Sequence, residues 1–161
     1  VELTVKWLAG SDDLTDVRRV RDPVFIGEQG IAPELEYDAM DAMAEHLVIY
    51  ADGQPVAAGR LYQKDGHYMF GRVSVLPEHR GKHFGILVVR QLLARAYRAG
   101  APEVHIHAQA YLEGFYRQLG FTPYGDPFDE AGIVHISMVA VRGKHHELSD
   151  KSLLAKATRE E

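Results

Sequence analysis

"VSVLPEHRGKHFGILVVRQLLARAYRAGAPEVHIHAQ", Val73 to Gln109, decides the fold. Its opening residues read as the end of a strand. From Gly85 onward Val88, Val89, Leu92, Leu93 and Ala96 share one helical face, and Gly100 with Pro102 supplies a stop. "EVHIHAQ" is then a second strand. Strand, helix and strand in such close succession make the two strands parallel, joined by a right-handed crossover. The intervening loop, Arg80 to Gly85, therefore lies at the carboxyl end of a sheet strand, where open α/β sheets bind ligands. Gly81 and Gly85 allow backbone amides to approach an anion, the helix start supplies unpaired N–H groups, and Arg80 and Lys82 add cations. The same residues would also serve as an ordinary strand-to-helix turn with solvated charges. The loop alone does not choose between the two.

Working outward, "EHLVIYADGQPVAAGRLYQKDGHYMFGRVSVLP" contains two Asp-Gly turn signals, Asp52-Gly53 and Asp65-Gly66, separating three strand-like runs. That is the pattern of an antiparallel meander. Upstream, "ELTVKWL" alternates as a half-buried strand does, and Ser11 offers an N-cap to a helix carrying Leu14, Val17, Val20 and Val24. Pro23 is expected to bend or end that helix. The following "GEQGIAPELEYDAMDAMAE" reads as an irregular, partly helical excursion. Downstream come a short helix in "AYLEGFYRQLG" and two strands, "FTPYG" and "IVHISMVAV". The expectation is one mixed α/β domain, residues 1 to 142, with strands 1–4 antiparallel, strand 5 parallel to strand 4, and flanking helices. A charged tail or terminal helix follows from Gly143.

A length of 161 residues suits one domain with a real core. Hydrophobic residues at 46% and charged residues at 25% are the balance of a soluble globular protein. The absence of cysteine removes disulfides, a thiolate nucleophile and cysteine-ligated zinc. A formal charge of -5 argues against nonspecific nucleic-acid binding. No apolar run has spanning length, and "VELTVKWLAG" lacks the charged start and apolar middle of a signal peptide, so no membrane association and a cytoplasmic location are expected.

Two motifs together resemble the GNAT N-acetyltransferase superfamily, over residues 2 to 142 in element order. "VSVLPEHRGKHFG" matches its strand, proline and Q/R-x-x-G-x-G/A loop, with Arg80 first and Gly85 last. "QAYLEGFYRQLGF" matches its N-x-x-A-x-x-F-Y-x-x-x-G-F, with Phe115, Tyr116, Gly120 and Phe121 in register. "VFIGEQGIAPELEYD", "AEHLV", "HAQA" and "AGIVHISM" look more narrowly like the ElaA-like branch. There are departures: His83 stands where the loop has glycine, Gln109 for asparagine and Leu112 for alanine. Histidine is among the residues that tolerate positive φ, so the loop can keep its shape.

The resemblance implies transfer of acetyl from acetyl-coenzyme A to a primary amine of a small molecule or peptide by direct attack, without metal. It leaves room for a homodimer. It also implies a cofactor site made of Val73, Ser74 and Val75, where adjacent parallel strands widen, of Arg80, Gly81, Lys82, His83, Phe84 and Gly85 around the pyrophosphate, and of Gln109 and Phe115 along the pantetheine arm. Tyr116 corresponds to the general acid, since a phenol with reference pKa about 10 can donate to a thiolate whose conjugate acid lies near about 8.5. Tyr116 could equally pack in the core. Many relatives carry a basic glutamate where this chain has Val104, so Glu28 and His135 are the remaining candidates for the base, each with an alternative as a capping, pairing or packing residue. A rival reading is a coenzyme A-binding module without catalysis.

Two further features remain open. Glu34, Glu36, Asp38, Asp41 and Glu45 either attract a cationic amine or form a solvated acidic loop. His105 and His107 share a strand face as two metal ligands would, but no third ligand is visible and packing is expected.

Overall fold

The computed structural model describes residues 1–143. The expected tail lies, from residue 144 on, outside the described residues. Strands β1 (Leu3–Ala9), β2 (Glu45–Ala51), β3 (Gln54–Lys64), β4 (His67–Val75), β5 (Glu103–Gln109), β6 (Thr122–Glu130) and β7 (Ile133–Val141) form one sheet in the order β1-β2-β3-β4-β5-β7-β6. Every pairing is antiparallel except β4 with β5. In the two Asp-Gly hairpin turns both central residues have positive φ, the backbone that matches the right-handed strand twist. β6 is longer than "FTPYG" predicts. It runs through Asp126-Pro127 past a register shift between Tyr124 and Phe128, which lets an edge strand tolerate the proline.

Helix α1 (Thr15–Arg21) begins three residues later than Ser11 as N-cap would set it. Asp13 instead accepts from the Thr15 backbone N–H at 3.0 Å and from its hydroxyl at 2.6 Å. Pro23 does not end the helix. The chain continues as a π-helical segment, Asp22–Glu28, and Gln29 N–H donates to the Val24 carbonyl at 3.2 Å. A wider turn accommodates the missing proline donor while keeping Val17, Val20 and Val24 on the buried face.

The excursion forms α2 (Pro33–Glu36) and a 3-10 turn, Ala39–Ala42. Most of its carboxylates are held by arginines: Glu36 and Asp41 are buried, while Glu34, Asp38 and Glu45 are exposed. Glu36, 1% exposed, accepts from Arg21 Nε at 2.6 Å and pairs with Arg72 Nε at 3.2 Å. Asp41 binds Arg21 at 2.7 Å and Arg60 at 2.9 Å, Asp38 binds Arg60 at 2.6 Å, and Glu45 binds Arg95 at 2.6 Å. Among the described residues only Glu34 of the five has no such partner.

Helix α3 (Phe84–Arg98) lays Leu87, Val88, Val89, Leu92, Leu93 and Ala96 into the core. It stops as the sequence indicates, with Gly100 N–H donating to Tyr97 and Ala101 N–H to Ala96. The helix lies directly on β3 at Gly59, where an added Cβ would come within 2.9 Å of Leu92 and Val88. After β5 a 3-10 turn, Ala110–Leu112, leads into α4 (Glu113–Gln118). No helix among the described residues is long and apolar enough to cross a membrane.

Candidate active site

The parallel ladder is short. Tyr68 pairs with Val104 and Met69 with His105, and no later residues of β4 and β5 are paired. The cause lies one strand away. Between the pairs Ala58 to Ser74 and Arg60 to Gly71, Gly59 alone opposes two residues of β4, and Arg72 there takes a φ of 52°. Such a bulge bends the strand and sharpens its twist, turning Val73–Val75 away from β5. The left-handed backbone at a residue with a side chain costs about 1–2 kcal/mol. Arg72 offsets this by donating to the carbonyls of Glu36 at 3.0 Å and Leu35 at 3.3 Å. Backbone groups of Val73, Ser74 and Val75 on the β5 side are thereby left without a strand partner. Ser74 is buried, its hydroxyl donating to the Arg72 carbonyl at 3.2 Å.

At the mouth of the split the chain makes a 3-10 turn, Pro77–His79, then Gly81 at φ 83° and His83 at φ 65°. His83 thus adopts the left-handed conformation expected of it. The first helical bond runs from Leu87 N–H to the His83 carbonyl at 3.1 Å, so the amides of Phe84, Gly85 and Ile86 have no partner within the helix. Among the described residues no side chain caps this end and no acidic residue lies in its first turn, so the positive end of a 15-residue helix suits an anion. A Cβ on Gly85 would lie 3.6 Å from Phe115 and 3.8 Å from Val75, which shows how closely loop, β4 and α4 converge.

Arg80 is not a loose cation. Its fork grips Glu28, at 2.8 Å from Nη1 and 2.5 Å from Nη2, and its Nε donates to the Val75 carbonyl at 3.1 Å. Lys82 has no ion pair or hydrogen bond among the described residues. The hydrogen bond from Arg80 holds the Glu28 carboxyl below the usual range, so Glu28 is a weak base. Gln109 exchanges two amide hydrogen bonds with Gln29, at 2.8 and 3.1 Å, and Gln29 also reaches the Tyr111 hydroxyl at 3.4 Å. Gln29, Tyr111 and the bulged Arg72 escaped the sequence reading, because no spacing rule joins Gln29 to a residue eighty positions away.

Tyr116 is 6% exposed, with its ring against Phe115 at 5.1 Å, Phe121 at 5.7 Å and Phe70 at 6.5 Å. Its hydroxyl has no hydrogen-bond partner among the described residues and is not fully enclosed. Burial raises its pKa and keeps the proton on. His135, 6% exposed, lies opposite Gln109 in the β5–β7 register and so shares that sheet face. Its Nδ1 sits 2.7 Å from the Ile133 carbonyl, which can only accept, so Nδ1 carries a proton; Nε2 lies 3.5 Å from Glu130. The ring stacks on Phe128 at 5.8 Å. Val104 is fully buried.

A sheet that splits between its parallel strands, with a bare helix N-terminus at the mouth, is the arrangement of acyltransferases that take a coenzyme A thioester. Residues 24–141 match the model of an acetyltransferase (GNAT) domain, and the chain belongs to this family. It is 34% identical over 129 residues to the Bacillus subtilis protein described as "Uncharacterized N-acetyltransferase YjcF", covering 80% of this chain and 92% of that one. It is also 30% identical over 126 residues to Protein ElaA of Escherichia coli, covering 74% of this chain and 82% of that one. The ElaA crystal structure superposes with a TM-score of 0.77 at 26% identity, over 86% of this chain and 99% of that one. An acyl-CoA N-acyltransferase from Pseudomonas aeruginosa superposes with a TM-score of 0.79 at 29% identity, over 87% of this chain and all of the other. Within the GNAT family the chain stands on the ElaA-like branch.

Proposed function

We propose that the protein transfers acetyl from acetyl-coenzyme A to a primary amine by direct attack within a ternary complex. The observation that carries this is the split beyond Met69 and His105, opening beside the uncapped start of α3. The pyrophosphate meets the amides of the loop from Gly81 to Gly85 and the charge of Lys82. The pantetheine arm runs between β4 and β5, against Phe115 and Gln109. The backbone amides of Val73–Val75 receive the oxyanion. The amine nitrogen forms a bond to the thioester carbon, the C–S bond then breaks, and Tyr116 gives its proton to the departing sulfur. The proton lost by the amine goes to His135 Nε2, directly or through water, and Glu130 supports the imidazolium.

Calorimetric titration with acetyl-coenzyme A, and a donor assay over small amines and N-terminal peptides, test the reading. Saturable binding below about 1 mM and acetylation of at least one amine are expected. No binding at that concentration would overturn the cofactor site. Binding without turnover over the whole panel would leave the coenzyme A-binding module instead.

Two substitutions separate the base candidates. A base works only when deprotonated, so the rate climbs as pH rises through its pKa. His135→Gln is expected to abolish that ascending limb. Glu28→Gln is expected to keep the limb and to tighten coenzyme A binding, because a neutral amide releases the Arg80 fork to the phosphates. Loss of the limb in Glu28→Gln alone would reverse the assignment.

A further inference from the structure

We propose that His67, Glu103 and His105 form a binding site for a divalent transition-metal ion, with Zn2+ the best fit, at the end of β4 and β5 remote from the split. The parallel register continues from Tyr68 to Val104 back to His67 beside Glu103, and places Glu103 and His105 on one face. One ligand atom from each lies within 4.8 Å of the others. His105 Nε2 stands 3.5 Å from Glu103 Oε2, and a tetrahedron with metal–ligand bonds of about 2.0–2.1 Å has edges of about 3.4 Å. The exposed His67, whose ring centroid is 4.6 Å from that of His105, needs a shift of about an ångström to complete a face of the same tetrahedron.

A second observation points the same way. His105 Nε2 is enclosed without a hydrogen-bond partner, while Nδ1 is 2.8 Å from the Tyr124 hydroxyl. An outer partner on one ring nitrogen is what fixes the tautomer and direction of a metal-ligating imidazole. A cation placed between Nε2 and the Glu103 carboxylate would give both groups a partner. Two imidazoles and one carboxylate suit Zn2+, Co2+ or Ni2+, whereas Mg2+ and Ca2+ take oxygen ligands. The ion would clasp β4 to β5 where only two residue pairs join them, so that the opening at the other end does not travel along the ladder. His107 packs on Phe128 at 5.0 Å, as expected of it, and takes no part in the cluster.

The test is calorimetric titration of the full chain with ZnCl2 after chelator treatment, together with the visible spectrum of the Co2+ form. A single ion per chain and tetrahedral Co2+ bands are expected. His67→Ala and Glu103→Gln should each weaken binding at least about tenfold, and Tyr124→Phe about tenfold through loss of the outer hydrogen bond. His67 is exposed, so its variant should melt like the wild type without metal. A His145→Ala, His146→Ala double variant should bind unchanged. No binding to the wild type, binding unaffected by His67→Ala, or binding abolished by the double variant would each overturn the proposal.

Discussion

Tyr116→Phe is expected to lower single-turnover acetyl transfer at least about a hundredfold while leaving acetyl-coenzyme A affinity and the thermal midpoint unchanged. The fold should not notice the change. The hydroxyl holds no hydrogen bond among the described residues, so its loss strands no partner. Phenylalanine keeps the ring contacts with Phe70, Phe115 and Phe121. What disappears, on the proposed mechanism, is the proton donated to the leaving sulfur. Burial raises the phenol's pKa, which would make it a poor donor to a thiolate in water. A thiolate released into the same dry split is destabilised by the same cause, so the two rise together and the transfer stays feasible. The raised pKa also keeps the acid protonated at all pH values where the protein is assayed. Transfer undiminished in Tyr116→Phe would reduce this residue to core packing.

The main elements follow from local chemistry, and the sequence shows them for that reason. Asp-Gly turns enforce the hairpins, a five-residue apolar face enforces α3, and Gly100 enforces its end. His83 is the sharper case. A residue that departs from the loop's usual glycine was expected to keep the glycine-like backbone, and at φ 65° it does. Motif register likewise brought Gly85 and Phe115 to one place, since each lies in the first turn of the helix that follows a strand flanking the split.

What escaped the sequence is what distant side chains decide. The bulge at Arg72 has no local signal, because its strain is compensated by carbonyls more than thirty residues upstream. Pro23 reads as a helix end only if the chain must keep a four-residue repeat; buried Val24 and Phe25 hold the helix against the sheet and the repeat widens instead. Arg80 and Glu28 were read as separate candidates, a phosphate ligand and a base, and the fold makes each the other's partner. The acidic excursion was read as a surface because three of its partners, Arg21, Arg60 and Arg72, come from three different elements.

Arg21→Met should cost about 3–5 kcal/mol of stability, the largest effect expected of a single substitution away from the active site. Arg21 is 1% exposed and donates to Glu36 at 2.6 Å, to Asp41 at 2.7 Å and to the Glu36 carbonyl at 2.7 Å. Removing it leaves a buried carboxylate with only Arg72 at 3.2 Å for company. The pH dependence identifies the mechanism. In the wild type burial raises the pKa of Glu36 despite Arg21 and Arg72, so its contribution is full below about 4.5 and is lost as pH rises through the folded value. Asp41 behaves oppositely: burial is outweighed by Arg21 and Arg60, its pKa falls to about 2, and its contribution is lost as pH falls from about 4 toward 2. In the variant Glu36 gains a still higher pKa, so the destabilisation should be greatest at pH 8 and shrink toward pH 5 as Glu36 takes up a proton. Urea midpoints at the two pH values measure this. Adding Glu36→Leu should recover part of the loss, because it removes the stranded charge. Arg72 links this network to the split: it binds Glu36 with its side chain and forms the bulge with its backbone. Arg21→Met should therefore also weaken acetyl-coenzyme A binding, under conditions where the variant remains folded. Equal destabilisation at both pH values, with no recovery from Glu36→Leu, would show that lost packing of the Arg21 stem rather than an uncompensated charge sets the cost.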